Sequence, residues 1–416
     1  MNRALLIAYH FPPIRVSSGL QRTLANTRYL PEFGWTPIVL SAHPRAYEHL
    51  DEGQLRDIPP STVVDRAFAL DTARHLAIRG RYSDLMALPD RWCTWWLGGV
   101  TSGLKLIRRY RPRAIWSTYP IATAHLIGLT LKRLTGLPWI ADFRDSMTEA
   151  HYPRESRRRK AFLWIEGQVI RHCDRAVFTS PGAQRLYAKR YPDTPPERWA
   201  IIPNGYNESI FAELEAEQAR IPAHRGGARP MTLVHSGVIY PSERDPRPLF
   251  QALSNLKTAG VVSAATLRIL LRATGHDHLF RPMLAEYDID DLVSLAPGIG
   301  YRDALREMLT TDALLVLQAA NCNHQIPAKI YEYFRARRPV LALTDPAGDT
   351  AATIRNAGID AIAPLDDANA IATMLREFVA NVAAGRGPVA TESAITRASR
   401  RQGAGDLACL FETCAD

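Results

Sequence analysis

An alternation that runs through the chain twice most constrains its fold. Short apolar runs stand at ALLIA (4–8), TPIVLS (36–41), AIWST (114–118), PWIAD (138–142), AVFTS (176–180) and AIIP (200–203). Longer amphipathic stretches separate them. Leu20 to Phe33 reads as a helix stopped by Gly34, a second helix runs to about Leu134, and a basic helix spans about Arg154 to His172. Strands that are apolar throughout, alternating with helices, predict a parallel sheet covered on both faces. The pattern restarts at TLVHSG (232–237). It continues through a helix from Pro246 to Lys257, then LRILLRATG (267–275), LVSLAPG (292–298), ALLVLQ (313–318), PVLAL (339–343) and AIAPL (361–365).

Between the two runs lies a polar, alanine-rich stretch punctuated by Gly and Pro, AELEAEQARIPAHRGGARP. Such composition reads as a linker with a short helix. The chain of 416 residues is therefore expected to be α/β, with two Rossmann-like doubly wound domains facing across a cleft. The first spans 1–208, a linker 209–230, the second 231–388, and a helical tail 389–416. Open α/β sheets bind ligands at the carboxyl ends of their strands, so functional residues are sought in the loops just after them.

Charge separates the two halves. The first 200 residues hold 30 Lys and Arg against 17 Asp and Glu, whereas the remainder is mildly acidic. A basic half attracts phosphorylated ligands, anionic lipid or nucleic acid. No helix-turn-helix, RNP or zinc-finger pattern is present, which disfavours nucleic acid. The five cysteines form no CxxC pair and no Cys/His cluster with zinc spacing, and so sparse and odd a number fits a reducing cytosol. No run of about 18 clean apolar residues exists to span a bilayer.

Four groups of residues stand where chemistry is expected. Lys329 and Glu332 lie three apart in IPAKIYEYFRARRPVLAL, with Pro327 placed for the first turn of a helix. Their spacing puts both on one face near a helix N-terminus, where free N–H groups and the dipole favour a diphosphate. A solvent-exposed ion pair fits the same spacing. Ser236, Gly237 and Arg244 follow a strand in TLVHSGVIYPSERDP; glycine permits close backbone approach and arginine grips phosphate bidentately. Gly19 and Arg22 open a helix after the loop HFPPIRVSSG, where Ser17, Ser18 and Gly19 can meet phosphate oxygens. The loop is not GxGxxG, which disfavours a dinucleotide. Lastly, DFRD at 142–145 places Asp142, Arg144 and Asp145 directly after a strand. There Asp145 can orient a hydroxyl or act as a base, or the group can be a structural salt bridge.

In this order, HFPP…SSGLQR, IIPNGYN (201–207), HSGVIYPSERDP and KIYEYFRARRPVLAL resemble the glycine loop, the "IPNG" segment, the second-domain start and the E-x7-E region of group-1, or family-4, glycosyltransferases of the GT-B fold. The resemblance covers nearly the whole chain. It implies that Glu332 holds the donor ribose, that Arg244 and Lys329 lie near the diphosphate, and that the Gly19 N–H approaches the phosphates. Ile299, Gly300 and Tyr301 match the nucleobase region more loosely. One departure is clear: the first glutamate of E-x7-E is replaced by His324. It stands close to the donor sugar if the match holds, and leaves retention or inversion open.

The resemblance implies a metal-independent, hexosyltransferase-like enzyme with no cofactor beyond its nucleotide-sugar substrate. Two features of the first half bear on the acceptor. PRESRRRKAFLWIEGQVIRH sets Arg157, Arg158, Arg159 and Lys160 beside Phe162, Leu163 and Trp164, and RWCTWWLGG groups Trp92, Trp95 and Trp96. Both compositions suit a lipid interface, and both suit core aromatics beside solvated charge. The expected acceptor is a glycan or a lipid-linked glycan of cell-surface polysaccharide biosynthesis. The expected location is cytoplasmic, peripheral on the inner face of the cell membrane. A nucleotide-sugar epimerase of the same fold and a non-catalytic nucleotide-sugar-binding protein remain as alternatives.

Overall fold

The computed structural model describes residues 1–15, 18–79, 81–149, 152–220 and 229–415. Ser17, one of the expected phosphate contacts, and residues 221–228 of the expected linker lie outside them. The chain divides into two compact units, residues 1–204 with 400–416, and residues 205–399.

The first unit is built from β1 (Asn2–Ile7), α1 (Ser18–Tyr29), β2 (Trp35–Ala42), β3 (Val63–Ala67), α2 (Thr72–His75), α3 (Trp95–Tyr110) and β4 (Ala114–Thr118). It continues with α4 (Ala122–Thr135), β5 (Trp139–Asp142), α5 (Ser156–His172), β6 (Arg175–Phe178), α6 (Pro181–Arg190) and β7 (Trp199–Ile201). The strands form one seven-stranded sheet in the order β3-β2-β1-β4-β5-β6-β7, every pair parallel. Ala4 to Ile7 of β1 stand opposite Ala114 to Ser117 of β4. These two central strands are buried from Ala4 to Ile7 and from Ala114 to Thr118, as their unbroken apolar sequences require.

The second unit contains α7 (Glu208–Ala219), β8 (Met231–Ser236), α8 (Arg247–Thr258), β9 (Leu267–Arg272), α9 (Asp277–Glu286), β10 (Val293–Ala296) and α10 (Tyr301–Thr310). Then follow β11 (Ala313–Gln318), α11 (Lys329–Ala336), β12 (Val340–Thr344), α12 (Asp349–Asn356), β13 (Ile362–Ala363), α13 (Ala368–Ala383) and α14 (Glu392–Arg397). Its sheet has the order β10-β9-β8-β11-β12-β13, again parallel throughout. In both sheets the order reverses beside the first strand of the unit, between β1 and β4 and between β8 and β11. Such switch points leave a crevice at the carboxyl edge.

Two expected boundaries change. Residues 209–219 of the expected linker, with Glu208 from the expected first domain, form α7, which belongs to the second unit, where buried Arg335 pairs with both Glu208 and Glu215 at 2.7 Å. The expected tail divides: α14 stays with the second unit, whereas α15 (Arg400–Ala415) packs on α1 of the first. There Phe411 is fully buried, its ring centroid 4.9 Å from that of Trp35.

The three tryptophans of RWCTWWLGG divide between the two settings that their composition left open. Trp95 is fully buried, and Trp92 is half-buried with its indole N–H on the Ala46 carbonyl at 3.2 Å. Only Trp96 of the three is exposed, its Nε1 donating to Thr130 on α4 at 2.9 Å.

Candidate functional site

In the second unit, four loops leave the carboxyl edge beside the β8–β11 switch. β8 ends at Ser236, and Gly237 takes φ +118°, which L side chains rarely adopt. A Cβ at Gly237 would stand 3.2 Å from Lys329 Nζ, so glycine is what lets this ammonium lie against the backbone. The loop then folds back on itself. Arg244 N donates to Tyr240 O at 2.8 Å, its Nη1 donates to Val238 O at 2.5 Å, and its guanidinium lies 5.6 Å from the Tyr240 ring centroid. Ala319 N, just past β11, donates to Glu243 O at 2.7 Å, and Asn321 Nδ2 donates to Ser242 O at 2.8 Å. Arg244 is thereby held half-buried beside the end of β11.

Lys329 is the first residue of α11. Pro327 lies just ahead of the Ala328 cap and not inside the first turn as expected, and its carbonyl accepts from Ile330 N at 3.1 Å. One turn on, Glu332 is buried, and its Oε1 accepts from the Tyr301 hydroxyl at 2.8 Å. Tyr301 opens α10 directly after Gly300, which caps that helix by accepting from Ala304 N at 2.9 Å. The expected nucleobase and ribose residues are thus in contact. Lys329 and Glu332 do not form the solvent ion pair that their spacing allowed: Lys329 Nζ instead lies 3.1 Å from His235 Nε2. Crowding by protein, then Arg244, lowers the Lys329 pKa to about 7, against the opposing pull of Glu332. Tyr333, next on α11, accepts from Ser236 N at 3.2 Å. His324 sits half-buried on the loop after β11, 3.4 Å from the Gln325 amide.

The first unit gathers a second set of groups at its carboxyl edge. A Cβ at Gly19 would stand 2.4 Å from His10 Nδ1 and 3.1 Å from Arg144 Nη1, so only glycine fits there. Arg22 spends its donors inside the unit: Nε reaches Asp142 Oδ2 at 2.7 Å, Nη2 reaches Asp142 Oδ1 at 3.3 Å and Ile202 O at 3.0 Å, and Nη1 reaches Pro203 O at 2.9 Å. With both partners buried, Arg22 braces α1 to β5 and to the IIPNG segment rather than reaching outward. Arg144, in the left-handed region at φ +49°, makes two longer contacts, to Gly19 O at 3.4 Å and Tyr119 O at 3.3 Å. Burial lowers its pKa, opposed by Asp145 and Asp142. Asp145 is exposed as a residue, while its carboxyl end is crowded by the protein around it. Surrounding protein, with Asp142 and Glu149, raises its pKa against the opposing Arg144.

Sequence reasoning missed His10 and His235. His10 Nδ1 is buried without a hydrogen-bond partner beside Gly19, and burial followed by Arg144 holds its pKa down near 4. The one available signal for His235 was a polar residue in an otherwise apolar strand, immediately before Ser-Gly. Among the described residues, no group of three or more His, Cys, Asp and Glu is placed to hold a metal ion.

Residues 20–205, nearly the whole of the first unit, match the model of the glycosyl transferase 4-like domain. The first unit is a glycosyl transferase 4-like domain. No curated protein matches the chain by sequence. The glycosyl transferase 4-like domain and the unit after it resemble, in fold, Anabaena HepE in complex with UDP and glucose, at TM-score 0.67 and 11% identity over 99% of this chain and 100% of that one. The α,α-trehalose-phosphate synthase (UDP-forming) of Burkholderia xenovorans, in complex with glucose-6-phosphate, gives the same TM-score, 0.67, identity, 11%, and coverage. Sucrose-phosphate synthase from Thermosynechococcus elongatus gives TM-score 0.59 at 16% identity, over 100% of this chain and 96% of that one. The fold is the GT-B fold of glycosyltransferases.

Proposed function

We propose that the protein transfers a hexose from a nucleoside-diphosphate sugar to a glycan or lipid-linked acceptor during the building of cell-surface polysaccharide. The observation that carries this reading is the convergence of Gly237, Arg244, Lys329, Glu332 and Tyr301 at the β8–β11 switch. A sugar leaving a nucleoside diphosphate puts growing negative charge on the β-phosphate. Arg244, Lys329 and the free N–H groups at the start of α11 supply opposing charge without a metal. Glu332 takes the ribose hydroxyls, and Tyr301 and Gly300 border the base. HepE is recorded with UDP and glucose, and the trehalose-phosphate synthase is UDP-forming, which favours trying uridine donors first.

Asp145 is the acceptor-side candidate. A carboxylate with a raised pKa is better matched to proton abstraction near neutral pH than an ordinary one. His324, on the loop after β11, is the candidate for contact with the donor sugar.

A peripheral position on the inner face of the cell membrane is supported by the layer α3-α4-α5. α4 packs between the other two. Their one acidic residue, Glu166, is buried with Tyr187, Tyr191 and Arg190. Lys105, Arg108, Arg109, Arg133, Arg157, Lys160 and Arg171 are exposed, as are Trp96, Leu97, Leu134, Leu163 and Trp164. Exposed cations interleaved with Trp and Leu suit an anionic lipid surface. Arg158 and Arg159 are used within the unit, over Phe162 and on the Glu149 and Tyr152 carbonyls. Among the described residues no helix is long and apolar enough to cross a membrane.

The test is transfer of labelled sugar from UDP-, GDP- and dTDP-hexoses to a bacterial lipid extract, with a donor-only control. Labelled lipid is the expected product. Donor consumed without acceptor would favour an epimerase, and donor bound but never transferred would favour a non-catalytic binder.

A further inference from the structure

His235 has no role in the reading above, yet it is fully buried in the middle of the donor-side unit. Its Nδ1 lies 3.0 Å from the carbonyl oxygen of Leu315 on β11. A carbonyl only accepts, so Nδ1 carries the proton and Nε2 is left with its lone pair. That lone pair faces Lys329 Nζ at 3.1 Å. The lysine therefore donates one of its protons to a neutral imidazole, and its Nζ lies only 3.2 Å from where a Cβ at Gly237 would stand.

Resting on the donor-site reading above, we propose that His235 is a positioning residue that holds Lys329 against the Gly237 loop, and that this makes nucleoside-diphosphate-sugar binding take up a proton. The groups facing Lys329 are His235 from β8, Arg244 from the loop after β8, and Glu332 from α11 itself. Glu332 is already engaged by Tyr301 of α10, and Glu307 of α10 is engaged by Arg272 of β9 at 2.6 Å and 2.5 Å. Burial first, and then Arg244, outweigh the opposing pull of Glu332, so the Lys329 pKa lies near 7. His235 cannot absorb the proton instead, because burial, Lys329 and Arg244 hold its own pKa well below the ordinary value. A diphosphate reverses the balance: two negative charges beside the ammonium favour its charged form. Lys329 is half-neutral in the empty site and charged in the filled one, and the difference is drawn from solvent.

The experiment is calorimetric titration of the full chain with UDP-glucose, GDP-mannose and dTDP-glucose in buffers of different ionisation enthalpy, from pH 5.5 to 8.5. These diphosphodiesters do not titrate on the phosphate in that range, so they contribute no protons of their own. Uptake of about half a proton is expected at pH 7, falling toward zero at pH 5.5 and rising toward one by pH 8.5. Lys329→Met should remove the uptake. His235→Asn frees the lysine to swing toward water, so the uptake midpoint should move up by about one pH unit or more. His235→Gln, whose amide oxygen can stand near the place of Nε2, should restore the original midpoint. Binding with no proton uptake in the wild type, or a folded His235→Asn with an unmoved midpoint, overturns this inference and leaves the donor site standing. Binding of none of the three donors overturns the donor site itself and this inference with it. Should His235→Asn fail to fold, the His235→Gln midpoint and the Lys329→Met loss still decide it.

Discussion

The Tyr301 hydroxyl donates to Glu332 Oε1 across 2.8 Å, tying the start of α10 to the first turn of α11. That contact holds a buried carboxylate at the rim of the strand switch. Glu332→Ala is expected to raise the donor KM by about tenfold to a hundredfold, the loss of one or two hydrogen bonds to a charged group. Tyr301→Phe removes one hydrogen bond and should cost about threefold to tenfold. Steady-state kinetics on both variants checks this order of effects.

Arg244 and Lys329 are assigned to charge that grows in the transition state. Arg244→Ala should lower kcat by about 10²–10³, as for loss of one charge-stabilising donor. The loop keeps its backbone bonds through Tyr240 and Glu243, so circular dichroism should be unchanged. Near-full turnover in this variant would count against the assignment.

Lys329→Met separates binding from stability. An amine whose pKa is about 7 in the folded protein, against about 10.5 when unfolded, disfavours folding wherever the unfolded chain binds the extra proton. The unfolded state holds more protons between those values, so this group's effect on stability improves as pH rises from 7 to 10 and is worst below 7. Lys329→Met should therefore raise the ligand-free melting temperature at pH 6 by a few degrees, about 2–8 °C, while weakening donor binding without abolishing it. Differential scanning calorimetry at pH 6 and pH 9 reads the sign, and the gain should shrink at the higher pH.

Arg22→Ala should act on stability first. Removing the guanidinium leaves Asp142 buried at 1% exposure without its partner; such losses cost about 3–5 kcal/mol. Arg22→Lys should recover little, because the bidentate contact and both carbonyl contacts need the planar fork. A chemical denaturation midpoint measures it.

Asp145 predicts the acid limb of the pH–rate profile. As a base it must be ionised, and its raised pKa places that limb above the ordinary carboxylate range. Asp145→Asn should erase the limb and lower kcat by about 10²–10⁴. An unchanged limb in that variant would assign the base elsewhere.

Much of this architecture was legible in the sequence, and the exceptions have physical reasons. The central strands are apolar end to end, which is why AIWST and ALLVLQ are found at their expected positions. β3 is an edge strand, VVDRA, half-exposed and carrying two charges, so it lacks that signature. α3 hid behind its glycines. Gly98, Gly99 and Gly103 weaken its helical signature, yet a Cβ there would stand 2.2 Å from the Phe68 backbone, 2.4 Å from Ile127 and 2.6 Å from Leu131. They are small so that neighbours can come close, which local sequence does not reveal. The return of α15 to the first unit is a long-range pairing of Phe411 with Trp35, again without local trace. The carboxyl-edge loops were found because strand ends are readable; His235 was missed because its importance lies in Lys329, 94 residues away.

The most direct test of the donor site is a thermal-shift screen of the full chain with UDP-, GDP- and dTDP-sugars, run beside Lys329→Met and Glu332→Ala. A ligand at about a hundred times its Kd stabilises the folded state by about 2.7 kcal/mol. One donor class should raise the wild-type melting temperature by about 5 °C or more, with the shift at the same ligand concentration cut to half or less in both variants. Equal shifts in wild type and variants, or none with any donor, would contradict the account.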